Sequence, residues 1–263
     1  MVFVFLFLPI VMIVIYSFND GRLLVSWNQF GLQPYESAFG SPQIMNSVWV
    51  TLQAAVWAAL IATALGTLAG IALARRAGKW APWVVLLLAL VTVTPEIVDA
   101  VALLPWFVML GADFNMPIFA NGIVRLVIGN TLFATAVVSF IVRARFEGLD
   151  EKLEEASADL YADGFTTFRR VTLPLAMPAV LSGALLAFTL SLDSTVIASF
   201  VSVSGSTPWP VHILSSLKTG LRPEIAAMST VMLVLTFVAL ALVALVLRRS
   251  GESTADIART MAG

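Results

Sequence analysis

The chain has 263 residues, of which 59% are hydrophobic and 12% charged, with a formal net charge of −1 and no cysteine. A mean hydropathy of +0.94 excludes an ordinary soluble domain, and the lack of cysteine excludes disulfides, zinc–thiolate sites and thiol nucleophiles. No basic patch with interleaved aromatics offers a nucleic-acid surface, and the single His212 cannot build a histidine metal site.

The first apolar stretch has no charged leader and no small-residue cleavage site, so no cleavable signal is expected. The chain opens directly on apolar residues, as it would inside a longer natural N-terminus. Six helical spans are expected, at 2–18, 47–74, 80–110, 117–142, 175–203 and 225–247. Such runs approach the twenty or so residues that cross about 30 Å of hydrocarbon. Unpaired backbone is costly in lipid, and the period-two alternation of a barrel is absent, so the class is an all-α membrane protein. Residues 1–249 are expected to form one transmembrane domain, with a polar tail at 250–263.

After the first span, residues 19–46 carry Trp27, Phe30, Tyr35 and Phe39 among Gly and Pro, as suits a chain lying along the membrane interface. In the second span Ala64, Gly66, Ala69 and Gly70 predict close helix packing. In the third, Pro95 and Pro105 either break the helix and free carbonyls or merely kink it. Residues 204–224, with Pro208, Pro210 and Pro223, predict a re-entrant or surface segment that leaves His212 exposed. Lys and Arg divide eleven to four between the two sides of the spans. The richer side is therefore expected to be cytoplasmic, with both termini on it.

Three carboxylates fall inside apolar spans: Glu96, Asp99 and Asp193. A mid-bilayer charge costs at least about 2.5 kcal/mol, so such groups face a cavity or a partner. Glu96 and Asp99 share a helix face. No Lys or Arg lies deep in a span against them; Arg125 is nearest, towards the outer end of the fourth. An acidic path suits a cation. The alternatives are structural: Glu96 capping backbone freed at Pro95, and Asp193 pairing with Ser191, Ser194 or a second subunit.

Charge gathers elsewhere too. Residues 143–170 hold twelve of the chain's 31 charged side chains. Leu149, Leu153, Ala156 and Leu160 recur as one helical stripe, with Asp150 as N-cap. Asp163-Gly164 gives a stop or turn. A second short helix follows with Thr166 or Thr167 near its start and Arg169 and Arg170 near its end, where cations suit the dipole. Phe165 and Phe168 lie on one side of it, and Pro174 ends the loop and begins the fifth span. An amphipathic pair of helices outside the bilayer predicts a docking element for a cytoplasmic partner.

The stretch EEASADLYADGFTTFRRVTLP (154–174) resembles the EAA loop of permease subunits of bacterial ABC importers. Glu155-Ala156-Ser157 is followed by three residues, Tyr161, nine residues, then Val171-Thr172-Leu173-Pro174. RARFEGLDEKLEEASADL, FRRVTLPLAMPAVLSGALLAFTLSLD, TGLRPEIAAMSTVML and TPEIVDAVALL are similar to the spermidine/putrescine permease group, in its C-type subunit. The resemblance implies a type I ABC importer permease fold with six spans and a coupling loop at 143–174 in the bacterial inner membrane. It implies alternating access driven by a separate ATPase dimer that binds ATP and Mg, a second and different permease subunit, and an extracytoplasmic substrate-binding protein. Coupling to the ATPase would fall on Glu155, Ala156, Ser157, Asp159, Tyr161, Gly164, Phe165, Phe168, Leu173 and Pro174, the substrate path on Glu96, Asp99 and Asp193, and a receptor contact on Trp209. No metal or cofactor is expected in the chain itself. It has no phosphate-loop motif, so ATP hydrolysis belongs to the partner.

Two departures stand out. The group commonly reads Leu-Asp-Asp where this chain has Leu192-Asp193-Ser194. Tyr161 stands where the motif has glycine. A left-handed tyrosine costs about 1 kcal/mol or more, so the bend is expected to move to Asp163-Gly164 or Tyr161 to stay helical; the alternative is a Tyr161 ring that fills part of the partner's groove. A polyamine importer is the first reading, with another cationic solute such as a cationic amino acid or Fe³⁺ as the alternative. A membrane enzyme built on the three acids lacks a nucleophile–base pair, and a self-sufficient secondary transporter would show paired halves.

Overall fold

The computed structural model describes residues 2–21, 23–24, 26–75, 77–150 and 152–249. The expected tail at 250–263 lies outside them. Among the described residues the regular structure is helical apart from one isolated β-bridge, between Asn19 and Phe30.

The first helix, α1 (Val2–Tyr16), has 15 residues. It rises about 22 Å, short of a ~30 Å hydrocarbon layer. Ser17 follows it; its hydroxyl donates to the Val14 carbonyl at 2.6 Å and shares a hydrogen bond with the Tyr35 hydroxyl at 2.8 Å. A short α2 (Gln33–Gly40) leads into α3 (Pro42–Arg75), which is 34 residues long. The third span divides into α4 (Ala81–Val93) and α5 (Glu96–Val108), bent by 103° at the break. The cause is local. Pro95 disfavours helical backbone in the residue before it, and Thr94 is extended with ψ 129°. Pro105, by contrast, stays inside α5.

After a π turn (Met109–Asp113) and a 3-10 turn (Pro117–Ala120) comes α6 (Gly122–Glu147). Two short helices, α7 (Lys152–Asp159) and α8 (Gly164–Thr167), form the charged loop. α9 (Leu173–Leu192) ends earlier than the sequence predicts. The helix opens at Asp193, where the Thr195 hydroxyl donates to the Asp193 carbonyl at 3.1 Å, and resumes as α10 (Val196–Val201). α11 (Trp209–Thr219) begins at the prolines of the 204–224 segment, and α12 (Pro223–Arg249) closes the described chain. Among the described residues four helices can cross a membrane by length and composition, five with the bent pair counted as one, and α1 is a shorter apolar helix.

The chain forms two compact units. One comprises Met1–Ala54, Ala100–Leu126 and Asp193–Ala239. Its core holds Ala38, Ile44, Val48, Trp209, Ile225 and Met228. The Trp209 amide donates to the Thr51 hydroxyl at 2.7 Å, and the Asn46 side chain donates to the Gly205 carbonyl at 2.9 Å.

The second unit comprises Ala55–Asp99, Val127–Leu192 and Leu240–Gly263. Its core is built from small residues of α3, α6 and α9: Ala59, Ala62, Ala134, Ala176, Ala179 and Ala187 surround Val138, Val142 and Phe146. Helices approach this closely because two glycines leave room. A Cβ on Gly66 would lie 2.6 Å from the Val138 Cβ, and one on Gly70 would lie 2.7 Å from the Ser139 carbonyl oxygen. Lipid offers no hydrophobic drive between helices, so packing of this kind holds them together. Gly70→Val is expected to destabilise this unit by about 1–3 kcal/mol, because backbone cannot move aside as a side-chain tip can. Thermal unfolding in detergent reads the loss, and a melting temperature equal to the parent's would contradict the packing described.

Candidate functional site

The loop begins where α6 ends. The Asp150 carboxylate accepts the Lys152 amide at 3.0 Å, which caps α7 as the sequence predicts. The apolar stripe divides. Leu149 packs against the small-residue core, while Leu153 is 49% and Leu160 81% exposed, and Ala156 is exposed between them. The face that turns inward is polar. Glu154 and Ser157, three apart on one side of α7, make its contacts: Glu154 Oε1 lies 3.4 Å from Arg75 Nε and accepts the Thr172 hydroxyl at 3.2 Å, and the Ser157 hydroxyl meets that of Thr167 at 3.0 Å. Glu155 and Asp159 point to solvent. Sequence reasoning singled out Glu155 and missed both Glu154 and Arg75. The available signal was Arg75 closing a long span within reach of an acidic helix.

Tyr161 departs from expectation. Its φ is +60°, so it does adopt the left-handed conformation. The hydrogen bonds explain why. The Tyr161 amide donates to the Ala158 carbonyl at 2.9 Å and the Ala162 amide to the Ser157 carbonyl at 3.2 Å. These are the two bonds of a Schellman motif, which satisfies the last carbonyls of α7 and requires a positive φ at its C′ residue. Tyr161 occupies that residue although glycine is better suited to it. Its ring is 98% exposed.

Asp163 does not stop a helix; it starts one. Its carboxylate accepts the Phe165 amide at 3.2 Å, the Thr166 amide at 3.4 Å and the Thr166 hydroxyl, capping α8. The Thr166 hydroxyl, helped by those amides and opposed by desolvation, holds the Asp163 carboxyl below the usual carboxylate range. A depressed pKa means the cap is fully present above about pH 4 and lost only as acid titrates it below that. Gly164 follows at the first helical position, where a Cβ would meet nothing within 4 Å.

The sequence also predicts a boundary at Leu173-Pro174, and there is none. α8 continues through a π turn (Phe168–Thr172) into α9, giving one helix from Gly164 to Leu192. Pro174 has no amide hydrogen and would leave a carbonyl of the preceding turn unpaired. The π turn shifts the register just before it, with the Leu173 amide donating to the Phe168 carbonyl.

Phe165 and Phe168 part company. Phe165 is 70% exposed. Phe168 is half-buried and lines an apolar groove of about 420 Å³ with Ala59, Leu60, Thr63 and Leu68 of α3 and Val180 and Ala184 of α9. Leu160, Tyr161 and Phe165 thus form the outward apolar display of the loop, beside Glu155 and Asp159.

Of the acids in the spans, Glu96 and Asp99 lie in the first turn of α5, immediately after the bend; Glu96 is exposed and Asp99 partly so. Asp193 lies exposed in the break between α9 and α10. Ser191, expected as one partner for it, is instead bonded by the Asn130 side chain at 2.7 Å. Arg125 is buried at the start of α6, donating to the Phe119 carbonyl and lying 5.9 Å from the Phe107 ring centroid. Trp209 and His212 are corrected. Trp209 is 4% exposed and His212 9%; their rings stack at 5.5 Å and offer no surface to a docked protein. Pro208 and Pro210, on either side of Trp209, start a helix that packs inward. Among the described residues no group of three or more His, Asp or Glu is placed to hold a metal.

Tyr161→Gly is expected to stabilise the loop by about 1 kcal/mol, because it removes a left-handed L-residue from the C′ position. Hydrogen exchange of the α7 amides reads it, as slower exchange in the variant. Faster exchange would show that Tyr161 contributes more through contacts than it costs in conformation.

The sequence and the fold both match known proteins. Residues 66–251 match the family model described as binding-protein-dependent transport system inner membrane component. The chain is 37% identical over 232 residues to the putrescine transport system permease protein PotI of Escherichia coli (strain K12), covering 88% of this chain and 82% of that protein. It is 36% identical over 251 residues to the spermidine/putrescine transport system permease protein PotC of Haemophilus influenzae, covering 95% of each. A bacterial ABC transporter involved in alginate import superposes with a TM-score of 0.74 at 15% identity, over 94% of this chain and 90% of that one. A MetNI methionine ABC transporter superposes with a TM-score of 0.65 at 17% identity, over 80% and 99%. The fold is that of type I ABC importer permeases, and the relatives are transport subunits, not enzymes. The chain belongs to the family of binding-protein-dependent transport system inner membrane components.

Proposed function

We propose that this chain moves polyamines into the cell as one of two different permease subunits of an ABC importer. An ATPase dimer that holds ATP and Mg docks on the outward face of the 154–174 loop, and an extracytoplasmic binding protein delivers the solute. The outward face of the loop is the supporting observation for docking: Leu160, Tyr161 and Phe165 are more than two-thirds exposed, an apolar cluster that a partner's groove would cover. Both termini lie on the cytoplasmic side in this reading, from the eleven-to-four division of Lys and Arg. Residues 1–249 serve as a single permease domain, with the chain's remaining residues as a cytoplasmic tail.

The polyamine assignment is carried by the two relatives named for putrescine and spermidine at 36–37% identity over most of the chain. The chemistry of the spans supports it. Glu96 and Asp99 follow the 103° bend and Asp193 sits in a helix break. Carboxylates at broken helices suit an ammonium, together with carbonyls that the break frees. Arg125, the basic side chain placed nearest such a path from sequence, is engaged with Phe119 and Phe107. Ser194, in place of a second carboxylate after Asp193, favours a solute of lower charge than spermidine.

Uptake of labelled spermidine by the assembled complex in liposomes tests the assignment, with putrescine, a cationic amino acid and Fe³⁺ as competitors. Uptake is expected to depend on ATP and binding protein and to be displaced by putrescine. Displacement by Fe³⁺ or the amino acid alone would move the assignment to that solute. Replacing Glu96, Asp99 and Asp193 together by their amides is expected to lower uptake about tenfold or more, the effect of about 1.4 kcal/mol; unchanged uptake would refute the acidic path.

For docking, Glu155→Ala with Phe165→Ala is expected to release the ATPase during purification while leaving the melting temperature of the permease within a few degrees, since both side chains are exposed. A complex that keeps its ATPase would contradict docking at this face.

A further inference from the structure

α7 has eight residues and buries none of them. A helix this short is not stable alone, and without apolar burial its place depends on polar contacts. One is the Ser157–Thr167 contact; the others run through Glu154 to Thr172 and Arg75. Arg75, the last of α3, has a side chain only 10% exposed. Its Nε lies 3.4 Å from Glu154 Oε1, its Nη2 donates to the Leu149 carbonyl at 3.3 Å, and its guanidinium lies 5.1 Å from the Phe146 ring centroid. Glu154 Oε1 in turn accepts the hydroxyl of Thr172, a buried residue at the end of the π turn. One carboxylate oxygen therefore joins α7 to the end of α3 and to the helix that becomes α9.

We propose that Arg75 and Glu154 form the joint through which a displacement of α7 is passed to α3 and α9, with Arg75 as a positioning residue for ATPase coupling. This rests on the docking of an ATPase on the loop. The ATPase acts on the outward face, and the joint lies on the opposite, polar face of α7. A planar guanidinium held by a carboxylate, a carbonyl and an aromatic face fixes direction as well as distance. A displaced α7 then carries both helix ends with it and does not swing on a loose tether.

The test uses the whole complex and reads how far the loaded binding protein stimulates ATP hydrolysis. Arg75→Gln is expected to cut that stimulation about tenfold, the order of one lost charge-assisted hydrogen bond, with basal hydrolysis and subunit ratio unchanged. Arg75→Lys, which keeps the charge facing Glu154, is expected to retain part of it. Wild-type stimulation in Arg75→Gln would overturn the proposal. If Arg75→Gln assembles poorly, the cysteine-free chain permits a second arm. Arg75→Cys with Glu154→Cys, bridged by a bifunctional methanethiosulfonate, is expected to regain stimulation and lose it again on reduction. A bridged complex that binds its ATPase but is not stimulated would also overturn the proposal. Glu155→Ala with Phe165→Ala, run in parallel, separates the two ideas: an ATPase still bound and stimulated there refutes docking, whatever Arg75 does.

Discussion

Pro174 has no amide hydrogen to give, and the loop is arranged around that fact. An α-helix passing through it loses a bond to the preceding turn. Ending the helix there would leave the loop hinged on the membrane. The chain instead runs a π turn over Phe168–Thr172 and continues without a break from Gly164 to Leu192. What the sequence suggests is a loop followed by a span is a single rod with its first turns outside the apolar stretch. The Asp163 cap starts the rod, and Thr172, at the end of the π turn, gives Glu154 its hydroxyl.

The charges of the loop divide by face. Glu154 and Ser157 hold α7 to its own subunit, through Arg75, Thr172 and Thr167. Glu155, Asp159, Leu160, Tyr161 and Phe165 are left outside. In the proposed mechanism the ATPase meets the second set and the spans feel the first. Tyr161 belongs to both. Its backbone closes α7 through the Schellman bonds, and its ring, 98% exposed, extends the apolar display. Glycine would close the helix with less strain but leave that part of the display bare.

Much of this was legible in residue patterns, because hydrocarbon leaves a chain few choices. The apolar runs located the long helices, Gly66 and Gly70 pointed to the close packing on Val138 and Ser139, Asp150 announced its cap, and Pro95 marked the bend. The misses have a common cause: local rules were outweighed by neighbours distant in sequence or by backbone bonding. Proline-rich surroundings suggested that Trp209 and His212 were exposed, yet Thr51, Ala38 and Met228 enclose that segment. Conformational cost argued against a left-handed Tyr161, but two otherwise unpaired carbonyls decided it. Glu154 looked like one more solvated acid because its partner, Arg75, is 79 residues away.

In the proposed mechanism α7 and the rod from Gly164 to Leu192 move as one body when the complex binds ATP. The cysteine-free chain allows one spin label at Ala158 of α7 and another at Met177 of α9, both exposed. The distance between them is measured by pulsed electron paramagnetic resonance in the assembled complex, first nucleotide-free and then trapped with ATP. One narrow distribution, unchanged between the two states, is the predicted result. A distribution that shifts or splits on ATP binding would show a hinge between α7 and the rod, and would contradict the account.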